Sequence, residues 1–271
     1  MDKKKRFDKI CKDIKSIKIQ GARQVAVQGL EAYKLFPSEK TKKKLLSLRP
    51  TEPFLINVLK QADTLTPSIL TKKIKQNQEL INQQTFKLIK KDSIIFTHCH
   101  SSTVISSLVY AKKRGKKFEV YLTETRPLFQ GRKTAKELKK KGIKVTMFVD
   151  AAASVALTKQ QDTQDVDIVL LGADAITKKG TINKIGSGMF SQIAKANKIP
   201  VYILADSLKY VPKIKLEQRG SEEIWDTKKI KIKNPAFELI KKKYITGIIS
   251  ELGTLSYKQF LKKVKIRKIK K

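Results

Sequence analysis

The chain is short of the residues that usually carry reactive chemistry. Its 271 residues include two cysteines, two histidines and one tryptophan. Two cysteines, Cys11 and Cys99, make no disulfide framework, and a reducing, cytoplasmic setting is the expectation. No run of about 18 apolar residues occurs, so no membrane partner is expected. The basic start, Met1-Asp2-Lys3-Lys4-Lys5-Arg6, is not followed by an apolar segment of the signal-peptide kind. Acidic residues are also scarce, 24 against 60 lysines and arginines, for a net charge of +36. Only eight of the 60 are arginine, so the excess reads as lysine spread over polar faces rather than as a nucleic-acid groove. Basic residues are not interleaved with aromatics in the manner of single-strand binders, and nucleic acid is not expected as a specific ligand. The lone Trp225 is expected to pack. A basic chain does suit an anionic substrate, whose local concentration its field raises. Arg23, Arg49, Arg126 and Arg132 stand in or beside the motifs below.

What is present divides near residue 88. Residues 1–88 read as a helical N-terminal domain, with Phe7, Ile10, Cys11, Ile14 and Ile17 at helical spacing. Residues 89–271 read as a Rossmann-like α/β domain. Short apolar runs at 93–97, 118–123, 144–149, 166–171, 200–205 and 244–249 alternate with helical stretches at 102–114, 132–141, 152–157 and 189–197. That alternation predicts a mostly parallel sheet with helices on both faces. The basic tail 262–271 is expected to be solvated.

The scarce residues cluster. His98-Cys99-His100 closes the apolar run Ser93–Thr97 and precedes Ser101-Ser102-Thr103. In an α/β protein the carboxyl end of a strand is where ligands bind. An extended segment would put His98 and His100 on one face and Cys99 on the other. No further histidine exists to complete a zinc site, and no metal is expected. A helix starting at Ser102 would lower the Cys99 pKa and offer an anion site through Ser101, Ser102 and Thr103. A buried, inert cysteine is the bland alternative. Asp174 follows another apolar run, 168–171, and is read as an acid–base residue, with a turn-capping aspartate as the alternative. Thr181–Gly188 places Asn183-Lys184 before a Gly-Ser-Gly helix start that resembles a phosphate cradle. Thr123–Arg132 and Ala205–Tyr210 are further strand-end loops.

Together these segments resemble the alpha, beta and delta subunits of translation initiation factor 2B and their metabolic relatives. The relatives are methylthioribose-1-phosphate isomerase and archaeal ribose-1,5-bisphosphate isomerase. The resemblance covers nearly the whole chain, through Ile19–Ala22, Leu48–Thr51, Thr97–Ser101, Thr123–Gly131, Gly172–Asp174, Ile182–Gly186, Asn234–Phe237 and Ser250–Gly253. In this superfamily the isomerases carry both a Cys and an Asp, which the eukaryotic regulatory subunits generally lack. Here these are Cys99 and Asp174. The His-Cys-His-Ser and Thr-Glu-Thr-Arg-Pro-x-x-Gln-Gly forms look most like the archaeal ribose-1,5-bisphosphate isomerase.

The resemblance implies an aldose–ketose isomerase making ribulose 1,5-bisphosphate in AMP salvage, without cofactor or metal. Cys99 and Asp174 would be catalytic, Asp174 as the acid that opens the ring and Cys99 as the carrier of a proton between C2 and C1. Gln20, Gly21, Ala22, Arg23, Arg49, Ser101, Ser102, Thr103, Asn183, Lys184 and Lys209 would hold the substrate, with Lys184 and Lys209 neutralising its charge. AMP is a candidate activator, and a homo-oligomer, dimer or hexamer, is expected. The isomerases have Arg-Gly-Ala where this chain has Gln20-Gly21-Ala22, with Arg23 the expected stand-in. That departure keeps a second reading open, a regulatory subunit that binds initiation factor 2. A third is methylthioribose-1-phosphate isomerase.

Overall fold

The computed structural model describes residues 2–19, 21–216, 218–227 and 229–269. Five helices come first: α1 (Lys3–Lys15), α2 (Ala22–Leu35), α3 (Glu39–Leu48), α4 (Pro53–Gln61) and α5 (Pro67–Leu88). Proline opens α4 and α5, where its missing N–H would have had no helical partner. Ser38 caps α3 by accepting the Thr41 N–H. The helices bury one apolar cluster that includes Ile14, Val25, Leu30, Leu45, Phe54, Val58 and Leu70.

Seven strands then form one sheet in the order β10-β9-β7-β4-β1-β2-β3. They are β1 (Ser93–Thr97), β2 (Phe118–Thr123), β3 (Lys144–Phe148), β4 (Ile168–Leu171), β7 (Val201–Leu204), β9 (Gly247–Ser250) and β10 (Gly253–Leu255). Every pairing is parallel except β9 with β10. Alternate residues of the strands face opposite sides. Ile95, Val120, Leu122, Ile168 and Leu170 pack with α5 and with α6 (Ser102–Lys113) and α7 (Gln130–Lys140). Ile94, Phe96, Val169, Leu171 and Ile203 pack with α8 (Ala153–Leu157), α9 (Ser187–Ala196) and α10 (Tyr257–Ile269). Each fully buried Ile or Phe here stabilises by roughly 1.5–3 kcal/mol. No helix among the described residues is long and apolar enough to cross a membrane.

The six expected strands are present, four of them with trimmed ends, and a short 3-10 turn at Lys242–Tyr244 takes the start of the run expected at 244–249. Three antiparallel strands, β5 (Ala175–Ile176), β6 (Gly180–Lys184) and β8 (Phe237–Lys241), form a small second sheet absent from the sequence reading. The C-terminal tail is not simply solvated: through Ile269 it belongs to α10, whose Phe260 and Val264 are buried. Trp225 does not pack and is 59% exposed.

Strand β1 sits between β2, which follows it, and β4, which comes three strands after it. The chain therefore reverses its direction of travel across the sheet at β1 and β4. A crevice outside the carboxyl ends of two such strands is the usual ligand site of this architecture.

Candidate active site

A cleft lies at that position. Strand β1 delivers the first residues to it. His98 is buried between Thr123 and the Ile185 carbonyl. A carbonyl only accepts, so Nε2–H donates to Ile185 O at 2.8 Å, and Nδ1 accepts from the Thr123 hydroxyl at 2.6 Å. Burial pushes its pKa down to about 4, so the ring is neutral near pH 7. His98 is thus a structural clamp between β1, β2 and the turn before α9.

Cys99 comes next, and its backbone is left-handed, with φ 68°. The segment is therefore not extended, which corrects the expected shared face of the two histidines. His100 reaches instead to Glu137 of α7, at 3.1 Å. The expected lowering of the Cys99 pKa is also overturned. The start of α6 is indeed adjacent, with Ser101 as its cap. But protein packed around the thiol desolvates it, and the Asp174 carboxylate adds to the effect, so the pKa is pushed up to about 12. Desolvation outweighs the helix terminus, whose influence is worth about a kcal/mol or less. Cys99 is a protonated thiol at neutral pH.

Strand β4 delivers Gly172, Ala173 and Asp174 to the same cleft. The Asp174 N–H donates to Ile182 O at 2.9 Å, tying this turn to β6. Strand β6 ends in Asn183 and Lys184, both buried and both lining the cleft. The helix start that follows does not serve as a phosphate cradle. Gly188 N–H already donates to the Glu238 carboxylate at 2.9 Å, and Ser187 is turned onto Asn183 and the Lys184 carbonyl. The protein's own carboxylate occupies the anion position.

Three further cations line the cleft. Arg23 of α2 donates to Gln78 at 2.6 Å, and Arg49 donates to Glu52 at 2.7 Å. Lys209 is buried and donates to the Ala173 carbonyl. Burial pushes its ammonium below the usual lysine value, and Asp174, Glu52 and Asp206 oppose that shift. Asp206 stands behind it, accepting from Asn77 at 2.7 Å, with its carboxyl pushed up to about 6 by burial and by Glu251. Among the described residues no group of three His, Cys, Asp or Glu could hold a metal ion.

Residues 58–257 match the model of the initiation factor 2 subunit family. The chain belongs to that family. Within it, the chain is 36% identical to a ribose 1,5-bisphosphate isomerase of Methanocaldococcus jannaschii, covering 89% of each. It is 31% identical to a ribose 1,5-bisphosphate isomerase of Archaeoglobus fulgidus, over 89% of this chain and 87% of the relative. A solved translation initiation factor eIF-2B of Pyrococcus horikoshii superposes with a TM-score of 0.82 at 26% identity, over 93% of this chain and 97% of that one.

The family member's cleft collects the residues singled out by sequence. Cys99, Asp174, Gly21, Ala22, Arg23, Arg49, Ser101, Ser102, Thr103, Asn183, Lys184 and Lys209 all line it. Gln20 lies outside the described residues. Arg126 and Arg132 are not among its lining and stand over the Phe129 ring instead. Lys133, Gln130 and Arg219 also line it and were not anticipated as site residues. Gln130 closes the Thr123–Gly131 motif, and Arg219 is one of only eight arginines, so both left a signal. Lys133 is one lysine among many and left none.

Gly172 holds the two strand ends together. A Cβ there would lie 2.4 Å from Ser101 Oγ and 2.7 Å from Ser101 Cβ. Rotating the hydroxyl relieves the first clash but not the second. Gly172→Ala should push the β1 and β4 loops apart, at a cost of about 1–3 kcal/mol. A lower Tm together with a raised substrate KM is the expected result. An unchanged Tm would show that the two loops are not in close contact.

Proposed function

We propose that this sugar-phosphate isomerase converts ribose 1,5-bisphosphate to ribulose 1,5-bisphosphate. One observation carries the reading: a protonated thiol, the carboxylates of Asp174 and Glu52 and six cationic side chains line one cleft. The cations are Arg23, Arg49, Lys133, Lys184, Lys209 and Arg219. So many suit a substrate with a phosphate at each end better than one with an apolar thioether.

The raised pKa of the thiol supports a reading of the roles in reverse of the sequence expectation. The 1-phosphate blocks spontaneous ring opening, so opening must be assisted. Cys99 gives its proton to the ring oxygen as the C1–O bond breaks. Asp174 removes the C2 proton, and that electron pair forms the C1=C2 bond of an enol phosphate. Asp174 then returns its proton to C1, while the C2 hydroxyl proton passes to the Cys99 thiolate. C2 becomes a carbonyl, and both residues regain their starting states. Lys184 and Lys209 neutralise phosphate and developing oxyanion charge. Both lysines are buried, which strengthens these effects. A homo-oligomer and activation by AMP belong to the same reading.

The test is turnover by the purified protein of ribose 1,5-bisphosphate and of methylthioribose 1-phosphate, each with and without AMP. Ribulose 1,5-bisphosphate should form, with the higher kcat/KM on the bisphosphate. Preference for the thioether substrate would replace the substrate assignment. Sugar-phosphate binding with no product from either would point to a regulatory subunit.

A further inference from the structure

The loop after β2 gives no cation to the cleft through Arg126 or Arg132, yet it is heavily built. Thr125 is fully buried, and its backbone is left-handed, with φ 64°. A β-branched residue takes that conformation only when its surroundings impose it. What they impose is a contact with Cys99. Thr125 Oγ1 accepts the Cys99 N–H at 3.1 Å. Thr134 of α7 donates its hydroxyl to the Cys99 carbonyl at 2.9 Å. Asp150, just beyond β3, then fixes Thr125 from behind. Its two oxygens accept the N–H groups of Thr125 and Arg126, at 2.9 and 2.6 Å. Two adjacent left-handed turns, at Cys99 and Thr125, thus hold each other through one hydroxyl, and a carboxylate anchors the second.

We propose that Thr125 and Asp150 are positioning residues that hold the Cys99 backbone in its left-handed turn and so aim the thiol into the cleft. The inference rests on Cys99 being the catalytic acid. Neither residue lines the cleft, so neither is required to touch substrate. Their loss should therefore affect kcat and leave KM in place, because misplacing a reacting group slows chemistry without loosening the groups that bind.

The experiment compares Thr125→Val, which keeps the shape and removes the hydroxyl, with Thr125→Ser, which keeps the hydroxyl. Asp150→Ala is a second variant, at a position only partly buried. Two readouts are taken: kcat and KM on ribose 1,5-bisphosphate, and the pH profile of iodoacetamide alkylation read at the Cys99 peptide. Thr125→Val and Asp150→Ala should lower kcat roughly 10–100-fold at unchanged KM. Both should also move the alkylation midpoint to lower pH: a displaced thiol gains water, and Asp150→Ala in addition removes a carboxylate that itself raises the thiol pKa, so the midpoint of Thr125→Val is the one that reads position alone. Thr125→Ser should restore parent behaviour in both readouts. Parent kcat and a parent alkylation profile in Thr125→Val and Asp150→Ala would overturn the proposal, as would a Ser variant as impaired as Val. A parent protein that turns over no sugar phosphate would overturn the assigned reaction, while the alkylation profiles would still decide the positioning role.

Discussion

Cys99→Ser should lower kcat on ribose 1,5-bisphosphate by roughly 10²–10⁴-fold, the range expected when a general acid is removed. The serine hydroxyl fills nearly the same space but is a still weaker acid than this thiol. KM should change little, because the phosphates are held by other groups. The parent's pH profile checks the same assignment. A thiol with its pKa near 12 stays protonated across neutral and mildly basic pH. The kcat/KM profile should then show no thiol-dependent fall below about pH 10. A falling limb near pH 8–9 that is absent from Cys99→Ser would mean that the acid thiol keeps an ordinary pKa, and a rising limb there would return it to the role of base.

Asp174→Asn should be as damaging, again roughly 10²–10⁴-fold in kcat, since the amide cannot take the C2 proton. It should also leave two electrostatic traces. Asp174 raises the pKa of Cys99, so its neutralisation should move the Cys99 alkylation midpoint to lower pH. The Lys209 ammonium is disfavoured by burial and supported first by Asp174. Without that support its pKa falls further, and it loses its charge sooner as pH rises. The variant's KM should therefore climb with pH more steeply than the parent's. Loss of kcat with neither trace would place Asp174 in the reaction but away from these two groups.

The inner strands of the parallel sheet were legible because they are short, buried apolar runs bounded by polar residues, and the half-exposed edge strand β3 through its Val145, Met147 and Phe148. The site residues were legible because the fold collects strand ends at one edge. Strand β6 was not: Asn183 and Lys184 read as loop, and its partner β8 lies more than 50 residues further on. The left-handed turn at Cys99 was invisible for a related reason. Neither Cys99 nor Thr125 is a glycine, and the hydroxyl that joins them comes from a different strand end. The direction of the Cys99 pKa shift was misjudged because a helix start can be read locally, whereas the protein packed around a thiol cannot. The same holds at Gly186–Gly188, where the competing anion, Glu238, is distant in sequence.

Helix α5 gives Leu70 and Ile74 to the cluster under the N-terminal helices and Ile81 to the cover of the sheet. Between them, Asn77 reaches Asp206, and Gln78 meets both Arg23 and the Thr103 carbonyl. One helix is thus at once the last of the bundle and the first lid of the sheet. A chain severed at residue 88 would yield two fragments, each missing part of the other's roof. Arg23 would be parted from Thr103 of α6, which it reaches through Gln78. The helical segment cannot be exchanged for another like a cassette, nor should it melt ahead of the sheet. Transplanting a new substrate preference onto this scaffold would have to start from loops at the strand ends, with α5 left untouched.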